Sequence, residues 1–171
     1  MTPAPGDILA GRRGARFRGV FYPCAIGRGG IVPPGAKREG DGATPAGVHA
    51  IVGMLYRPDR VAAHLLPGWA RPIGPGDLWS DDSADAAYNR PVRVPYPHSH
   101  EAMRRADPLY DIVLVTGWNL AAPEPGRGSC IFVHVWRGPR APTAGCVAFR
   151  RDHMLAIARR LQPGARLIVE R

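Results

Sequence analysis

Residues 128–147 read GSCIFVHVWRGPRAPTAGCV, and the pattern of this stretch decides which fold we expect. Side chains alternate between the two faces of a β-strand. A strand over 130–136 therefore has two faces that are both largely apolar, which indicates a central, buried strand. One face carries Cys130, Phe132, His134 and Trp136, and the other carries Ile131, Val133 and Val135.

The same stretch places a histidine and a cysteine where a loop can bring them together. His134 lies near the end of the expected strand, before a turn at Gly138-Pro139, and Cys146 follows it by 12 residues. A thiol is only slightly ionised at neutral pH, so a nucleophilic cysteine needs a base or positive surroundings. His134 supplies a base, and flanking arginines that point inward would favour the thiolate. Those arginines are Arg140, Arg150 and Arg151.

Gly145 precedes the cysteine, and a residue without a β-carbon lets the backbone turn sharply and approach a substrate closely. The N–H groups of Gly145 and Cys146 are then expected to point at a developing oxyanion. Preorganised donors of this kind are typically worth about 3–4 kcal/mol each in a transition state. The pattern predicts Cys146 as a nucleophile and His134 as its base.

Other readings of these residue types are common and remain open. A single cysteine is more often a small buried hydrophobe, and Cys24 and Cys130 are interpreted in that way. Cys130 and His134 lie four residues apart on one face, so a metal pair is an alternative, although further ligands are not apparent. Three cysteines without a CxxC pair argue against a disulfide framework and against a thiolate zinc site.

Short β-rich runs separated by turns recur along the chain, which has 19 prolines and 21 glycines. This pattern predicts one mainly β domain over 1–171, with its core at about 17–171 and a long ordered insertion at about 57–97. Amphipathic spacing predicts a helix over 151–162, and a second short helix is expected at about 99–105. The β-rich runs are 17–22, 47–56, 111–118, 130–136 and 166–170.

The formal net charge of +9, with Lys37 as the only lysine, favours anionic partners such as nucleic acid, anionic lipid or bacterial wall material. The arginines are scattered and form no long basic run, so nucleic-acid binding is not expected. No stretch is apolar enough to span a bilayer, and the first twenty residues lack an apolar signal region. On these grounds alone the chain is expected to be a cytoplasmic protein, and a domain trimmed of its leader or an exported protein are the alternatives. It is also expected to be a monomer.

Several motifs in their observed order resemble those of the L,D-transpeptidase (YkuD-type) catalytic domain, in its short single-domain form. The resemblance covers most of the chain, and it combines the motifs around His134 and Cys146 with four earlier segments. The earlier segments are Gly29-Gly30, 37–47 (KREGDGATPAG), 88–91 (YNRP) and 109–111 (LYD).

The resemblance implies a β-sandwich-like fold with one or two short helices, and no metal or organic cofactor. It implies that Cys146 attacks the third residue of a peptidoglycan stem peptide to form a thioester, which an amine resolves into a 3→3 crosslink. His134 would act as base, oriented by the carbonyl of Val135, and Gly145 and Cys146 would supply the oxyanion donors. Such a function belongs in the periplasm or cell wall.

Two alternatives to crosslinking follow from the same residues. The thioester can be resolved by water, which makes the protein an L,D-carboxypeptidase or endopeptidase, or the chain can be a non-catalytic basic binding module. Many relatives have a second histidine and an arginine beside the cysteine, where this chain has Ala144 and Ala148, so Arg150 is the expected substitute for that arginine. The residues expected to bind substrate are Thr143, Arg150, Trp136, Trp118 and Asn119.

Overall fold

The structure, a computed structural model that describes residues 2–171, is built mainly from β-strands. Over those residues it has fifteen strands, one α-helix, α1 (Arg151–Ala158), and 3-10 turns at Pro34–Ala36 and Ala63–Leu65. The mainly β fold class predicted from the sequence is confirmed. The strands are β1 (Ile8–Gly11), β2 (Gly14–Phe17), β3 (Val20–Tyr22), β4 (Cys24–Ala25), β5 (Ile31–Val32), β6 (Thr44–Pro45), β7 (Gly47–Tyr56), β8 (Arg71–Pro72), β9 (Asp77–Ser80), β10 (Pro91–Arg93), β11 (His100–Ala102), β12 (Ile112–Thr116), β13 (Phe132–Val135), β14 (Val147–Phe149) and β15 (Arg166–Val169).

Ten strands form one sheet in the order β3-β2-β1-β15-β7-β12-β13-β14-β4, with β8 paired to β7 beside this path. The strands at the two ends of the path, β3 and β4, are separated in sequence only by Pro23. The sheet therefore curls until its edges come close, and it is nearly closed. Strand β13, which carries His134, lies well inside the sheet between β12 and β14.

The predicted strand over 17–22 is instead a hairpin. Strand β2 ends at Phe17 and β3 begins at Val20, and these two residues are paired across the turn. Arg18 and Gly19 between them have φ angles of 49° and 79°. Two consecutive residues with positive φ form the kind of turn that suits the twist of an antiparallel pair.

The alternation predicted for the central strand is the feature that separates two hydrophobic clusters. Val133 and Val135 belong to the larger cluster, together with Met154 of α1 and side chains from most strands of the main sheet. Phe132 points the other way, into a smaller cluster that also contains Cys146. The strand is buried on both faces, as expected for a position in the middle of a sheet.

The helix predicted over 151–162 begins at Arg151 as expected and ends as an α-helix at Ala158. Its apolar face is fully buried, and Leu161 in the following turn is buried with it. The second helix, predicted at about 99–105, is wrong. Residues His100–Ala102 form β11, because they pair antiparallel with β9 and this tertiary pairing overrides a weak helical pattern.

The segment 57–97 contributes β8 to the main sheet and forms, with β11, a separate three-stranded sheet in the order β10-β9-β11. This small sheet covers the face of β13 opposite α1. The ring of Trp79 meets the ring of Phe132 edge-on at 5.1 Å between centroids. The small sheet thus forms one wall of the region in which His134 and Cys146 lie.

Candidate active site

Strands β13 and β14 run in parallel, with Val133 opposite Val147 and His134 opposite Ala148. Cys146 comes immediately before β14, so the parallel register brings it beside the strand that carries His134. Both residues line one cleft of about 370 Å³. The structure therefore places the predicted nucleophile and the predicted base in the same cleft.

The imidazole of His134 is buried and held in one orientation by its own strand. Its Nδ1 atom lies 2.7 Å from the carbonyl oxygen of Val135. A carbonyl only accepts hydrogen bonds, so Nδ1 carries the proton and Nε2 is left with a free lone pair. Burial lowers the pKa of His134 from 6.5 to about 4, so at neutral pH the ring is uncharged and its Nε2 can accept a proton.

The thiol of Cys146 is held by backbone groups rather than by the imidazole. Its Sγ donates to the carbonyl oxygen of Cys130 at 3.0 Å and accepts from the N–H of Phe132 at 3.4 Å. Between these described residues no hydrogen bond joins Cys146 to His134. Burial raises the pKa of Cys146 to about 12, and donation to the Cys130 carbonyl requires a proton on the sulfur, so both point to a protonated resting thiol.

The loop before Cys146 is tied by the hydroxyl of Thr143. That hydroxyl donates to the carbonyl of Cys146 at 2.6 Å and accepts from the N–H of Gly145 at 3.1 Å. The N–H of Gly145 is therefore already used, which differs from its expected role as an oxyanion donor. The N–H of Cys146 has no acceptor among the described residues and is available to a ligand.

Gly145 is required by the backbone at this point. Its φ is +144°, and a β-carbon there would lie 2.9 Å from the carbonyl oxygen of Ala43 and 3.1 Å from the side chain of Ile131. The contact with the Ala43 backbone, together with the positive φ, favours glycine at this position, whereas the end of the Ile131 side chain could shift. The tight packing holds the Cys146 loop against the segment that contains Ala43.

A network of hydrogen bonds not anticipated from the sequence forms one side of the cleft. Glu39 accepts from the hydroxyl of Tyr88 at 2.5 Å and from the hydroxyl of Ser129 at 2.7 Å. The Tyr88 hydroxyl in turn accepts from the N–H of Gly128 at 3.0 Å. These contacts join three segments that are far apart in sequence, so a sequence pattern carries no direct signal for them.

Asn89 is the second unanticipated support, and it is buried. Its Oδ1 accepts from the N–H of Cys130 at 3.1 Å and from Trp79 Nε1 at 3.0 Å. Its Nδ2 donates to the carbonyl oxygens of Trp118 and Asn119 at 3.1 and 2.7 Å. All four hydrogen-bonding positions of the amide are thus used to hold the chain around Cys130.

Charged side chains of both signs line the cleft. Arg105 lies over the ring of Tyr110 at 5.2 Å, and that ring meets the imidazole of His134 at 5.4 Å. Arg105 is paired with Asp107, and its Nη1 lies 3.4 Å from Glu101. Burial raises the pKa of Glu101. The other charged residues of the cleft are Arg28, Glu39, Asp81 and Arg137.

Only Thr143 of the five expected substrate-binding residues lines the cleft. Arg150 is exposed, precedes α1, and forms two 2.5 Å hydrogen bonds with Asp152, so the structure places it outside the cleft. Trp136 is half-buried and contributes no surface to the cleft. Trp118 and Asn119 instead line a second cavity of about 400 Å³, which also includes His49.

The arginines expected to favour the thiolate do not point into the cleft either. Arg140 donates to the carbonyl of Arg13, and Arg151 pairs with the buried carboxylate of Asp111 at 2.8 Å. Each is held by a partner outside the cleft. The structure offers no arginine beside the Cys146 sulfur from this group, which agrees with a protonated thiol.

Within residues 2–171, no three His, Cys, Asp or Glu side chains are grouped so that they could hold a metal ion. No helix there combines the length and apolar character needed to cross a membrane.

The comparison with known proteins gives one match. The family model YkuD, described as the L,D-transpeptidase catalytic domain, matches residues 12–169, which is nearly the whole chain. No curated protein and no solved structure matches the chain significantly.

Proposed function

The chain belongs to the YkuD family of L,D-transpeptidase catalytic domains, and on this premise we propose that it is a cysteine acyltransferase that forms 3→3 crosslinks between peptidoglycan stem peptides. The family acts on peptidoglycan. The observation that carries the proposal is the orientation of His134, whose Nδ1 is bound to a carbonyl and whose Nε2 is free in the cleft of Cys146.

The first step is a rotation of the Cys146 thiol away from the carbonyl of Cys130 and toward Nε2 of His134. Burial disfavours both the thiolate and the imidazolium, so a stable ion pair is not expected in the free protein. The proton therefore moves to His134 as the sulfur attacks the carbonyl of the third stem residue. This is general-base catalysis of a nucleophilic attack.

The tetrahedral intermediate needs a donor for its oxyanion, and the unpaired N–H of Cys146 meets that need. Gly145 becomes a second donor only if its N–H leaves the hydroxyl of Thr143. Collapse of the intermediate breaks the bond to the terminal D-alanine, whose amine takes the proton from His134. A thioester on Cys146 remains, and the amine of a neighbouring stem resolves it while His134 takes its proton.

The charges of the cleft support an amine acceptor over water. Asp81 and Glu101 line the cleft, and Oδ1 of Asp81 is buried without a hydrogen-bond partner among the described residues. Carboxylates in this position attract an ammonium group. The cleft also carries positive charge. Arg28 and Arg137 line it and form no ion pair with a described residue, so these two side chains can bind a carboxylate of the donor peptide, whereas Arg150 lies outside the cleft.

The test is incubation with a stem tetrapeptide in the presence and absence of an acceptor amine, followed by product analysis. A crosslinked product that requires the amine supports the proposal. Free tripeptide alone would assign the hydrolytic alternative. Unchanged substrate with wild-type protein, together with salt-sensitive binding that survives in Cys146→Ala, would assign a binding module.

A further inference from the structure

Cys130 is a second cysteine in the cleft of Cys146, and the mechanism above uses only its backbone. Its side chain is partly exposed and lines the cleft. The sulfur of Cys146 lies 3.0 Å from the carbonyl oxygen of the same residue, so the nucleophile is already in contact with Cys130. Burial raises the pKa of the Cys130 thiol well above its ordinary value, so this thiol carries its proton at rest.

The backbone of Cys130 is an unusual one for a cysteine. Its φ is +53°, in the left-handed region that favours glycine. The conformation is held from outside, because the N–H of Cys130 donates to Oδ1 of the buried Asn89. A strained residue beside a nucleophile points to a role for its side chain, since glycine would fill the position without strain.

The third cysteine is a natural contrast. Cys24 is buried in the larger hydrophobic cluster, and its Sγ lies 3.9 Å from the carbonyl oxygen of Gly11. It does not line the cleft. Cys24 is therefore the matched control for any chemistry that depends on the shared cleft of Cys130 and Cys146.

We propose that Cys130 is a resolving thiol, which forms a reversible disulfide with Cys146 after a hydroperoxide has oxidised Cys146. As His134 takes its proton, the Cys146 sulfur attacks the O–O bond and becomes a sulfenic acid, and the peroxide is reduced to water or an alcohol. The Cys130 sulfur then displaces the sulfenic hydroxyl, which leaves as water with the Cys130 proton. A low-molecular-weight dithiol restores both thiols.

The chemical consequence is protection of the nucleophile. A sulfenic acid that meets no thiol is oxidised further to sulfinic and sulfonic acids, which a dithiol does not reverse. With Cys130 in the same cleft, the oxidation stops at the disulfide. Since Cys146 is then blocked, acyl transfer stops reversibly; this last step alone rests on the proposed function.

The arrangement of arginines makes the disulfide easy to detect. Trypsin places Cys130 in the peptide 128–137, Cys146 in 141–150 and Cys24 in 19–28. The purified protein is treated with an equimolar amount of hydrogen peroxide, quenched in acid, alkylated, and digested without reductant. We expect one linked species of 128–137 with 141–150, which disappears on reduction, and an intact protein that has lost two hydrogens.

Two variants complete the test. Cys130→Gly suits the positive φ and keeps the fold, and it is expected to accumulate sulfinic and sulfonic Cys146 at least about fivefold faster than wild type. Cys24→Ser is expected to form the same linked peptide as wild type. Equal over-oxidation of Cys146 in wild type and Cys130→Gly, or a link from Cys146 to Cys24, would overturn the inference.

The outcome is separable from that of the proposed function. Wild-type protein treated with peroxide is offered the stem tetrapeptide before and after reduction, and thioester formation is followed by intact mass. If the linked peptide forms but no thioester appears, even after reduction, the disulfide inference stands and the proposed acyltransferase function fails. If a thioester forms but no linked peptide appears, the function stands and the disulfide inference fails.

Discussion

The sulfur of Cys146 lies 3.0 Å from the carbonyl oxygen of Cys130, and this contact, rather than one with His134, defines the resting state of the candidate nucleophile. A thiol that donates to a carbonyl keeps its proton. The imidazole of His134 lies in the same cleft, and its proton is held on Nδ1 by the carbonyl of Val135. In the proposed mechanism the proton therefore moves from Cys146 to His134 as the sulfur attacks, and no ion pair of the two residues exists beforehand.

The pH profile of the acylation rate constant is predicted to show no inflection near pH 6.5, the ordinary pKa of histidine. Burial lowers the pKa of His134 to about 4, so the ring stays in its basic form down to about pH 5. The apparent second-order rate constant for thioester formation should be level from about pH 5.5 to 8 and should fall only below that range. A clear loss of half the rate near pH 6.5 would contradict a neutral, buried base.

The same burial predicts how stability depends on pH. In the unfolded chain His134 titrates at its ordinary pKa of 6.5, whereas the folded state holds it near 4. The unfolded state therefore binds more protons as the pH falls from about 6.5 to 4, and about 3 kcal/mol of folding free energy is lost over that window. Above pH 6.5 His134 is neutral in both states, so none of this folding free energy is lost.

Urea unfolding of wild type and His134→Gln at pH 7 and pH 4.5 measures this contribution. The variant cannot take up the proton, so its stability should change less between the two values than that of wild type. Equal changes in the two proteins would show that His134 does not titrate differently on folding.

Asn89→Ala is predicted to cost about 3 kcal/mol of stability, because it leaves the buried N–H groups of Cys130 and Trp79 without their acceptor. Asn89→Asp is the matched variant, since it keeps the acceptor and loses the donors to Trp118 and Asn119. Denaturant midpoints check the energies. A midpoint for Asn89→Ala equal to that of wild type would show that Asn89 does not support the cleft.

Asp111→Ala is predicted to cost about 3 kcal/mol, because this carboxylate is only 3% exposed and pairs with Arg60 and Arg151. Arg151→Ala removes the half-exposed partner and is expected to cost less than about 1 kcal/mol. Thermal and urea unfolding of both variants give the comparison. Equal costs for the two changes would contradict a buried charge held by two arginines.

How far the sequence predicted this structure depends on the distance over which each feature acts. The alternation in 130–136 and the helical spacing after Arg151 are local, and they predicted the central strand and the start of α1. The turn at Arg18-Gly19 is also local, but arginine rarely adopts a positive φ, so the sequence did not indicate a turn there. The pairing of β11 with β9 is tertiary, which is why the helix expected at 99–105 is a strand.

The candidate site divides in the same way. Cys146 and His134 come from one continuous motif, and the structure places both in one cleft. Glu39 and Asn89 lie in segments that carry the family resemblance, but their contacts with Ser129 and Cys130 span 90 and 41 residues, and no local pattern predicts those contacts. Arg150 is the expected substitute for the arginine that many relatives have after the cysteine, whereas in the structure it is bound to Asp152, two residues away, outside the cleft.

The central claim is that Cys146 forms a thioester with a peptidoglycan stem peptide, and intact-protein mass spectrometry tests it most directly. Wild-type protein, incubated with a stem tetrapeptide and quenched in acid, should gain the mass of the tripeptide acyl group, located by digestion in the peptide 141–150. Cys146→Ala, with its fold checked by unfolding, should gain nothing. A folded wild-type protein that never carries the adduct, or an adduct that persists in Cys146→Ala, would contradict the account.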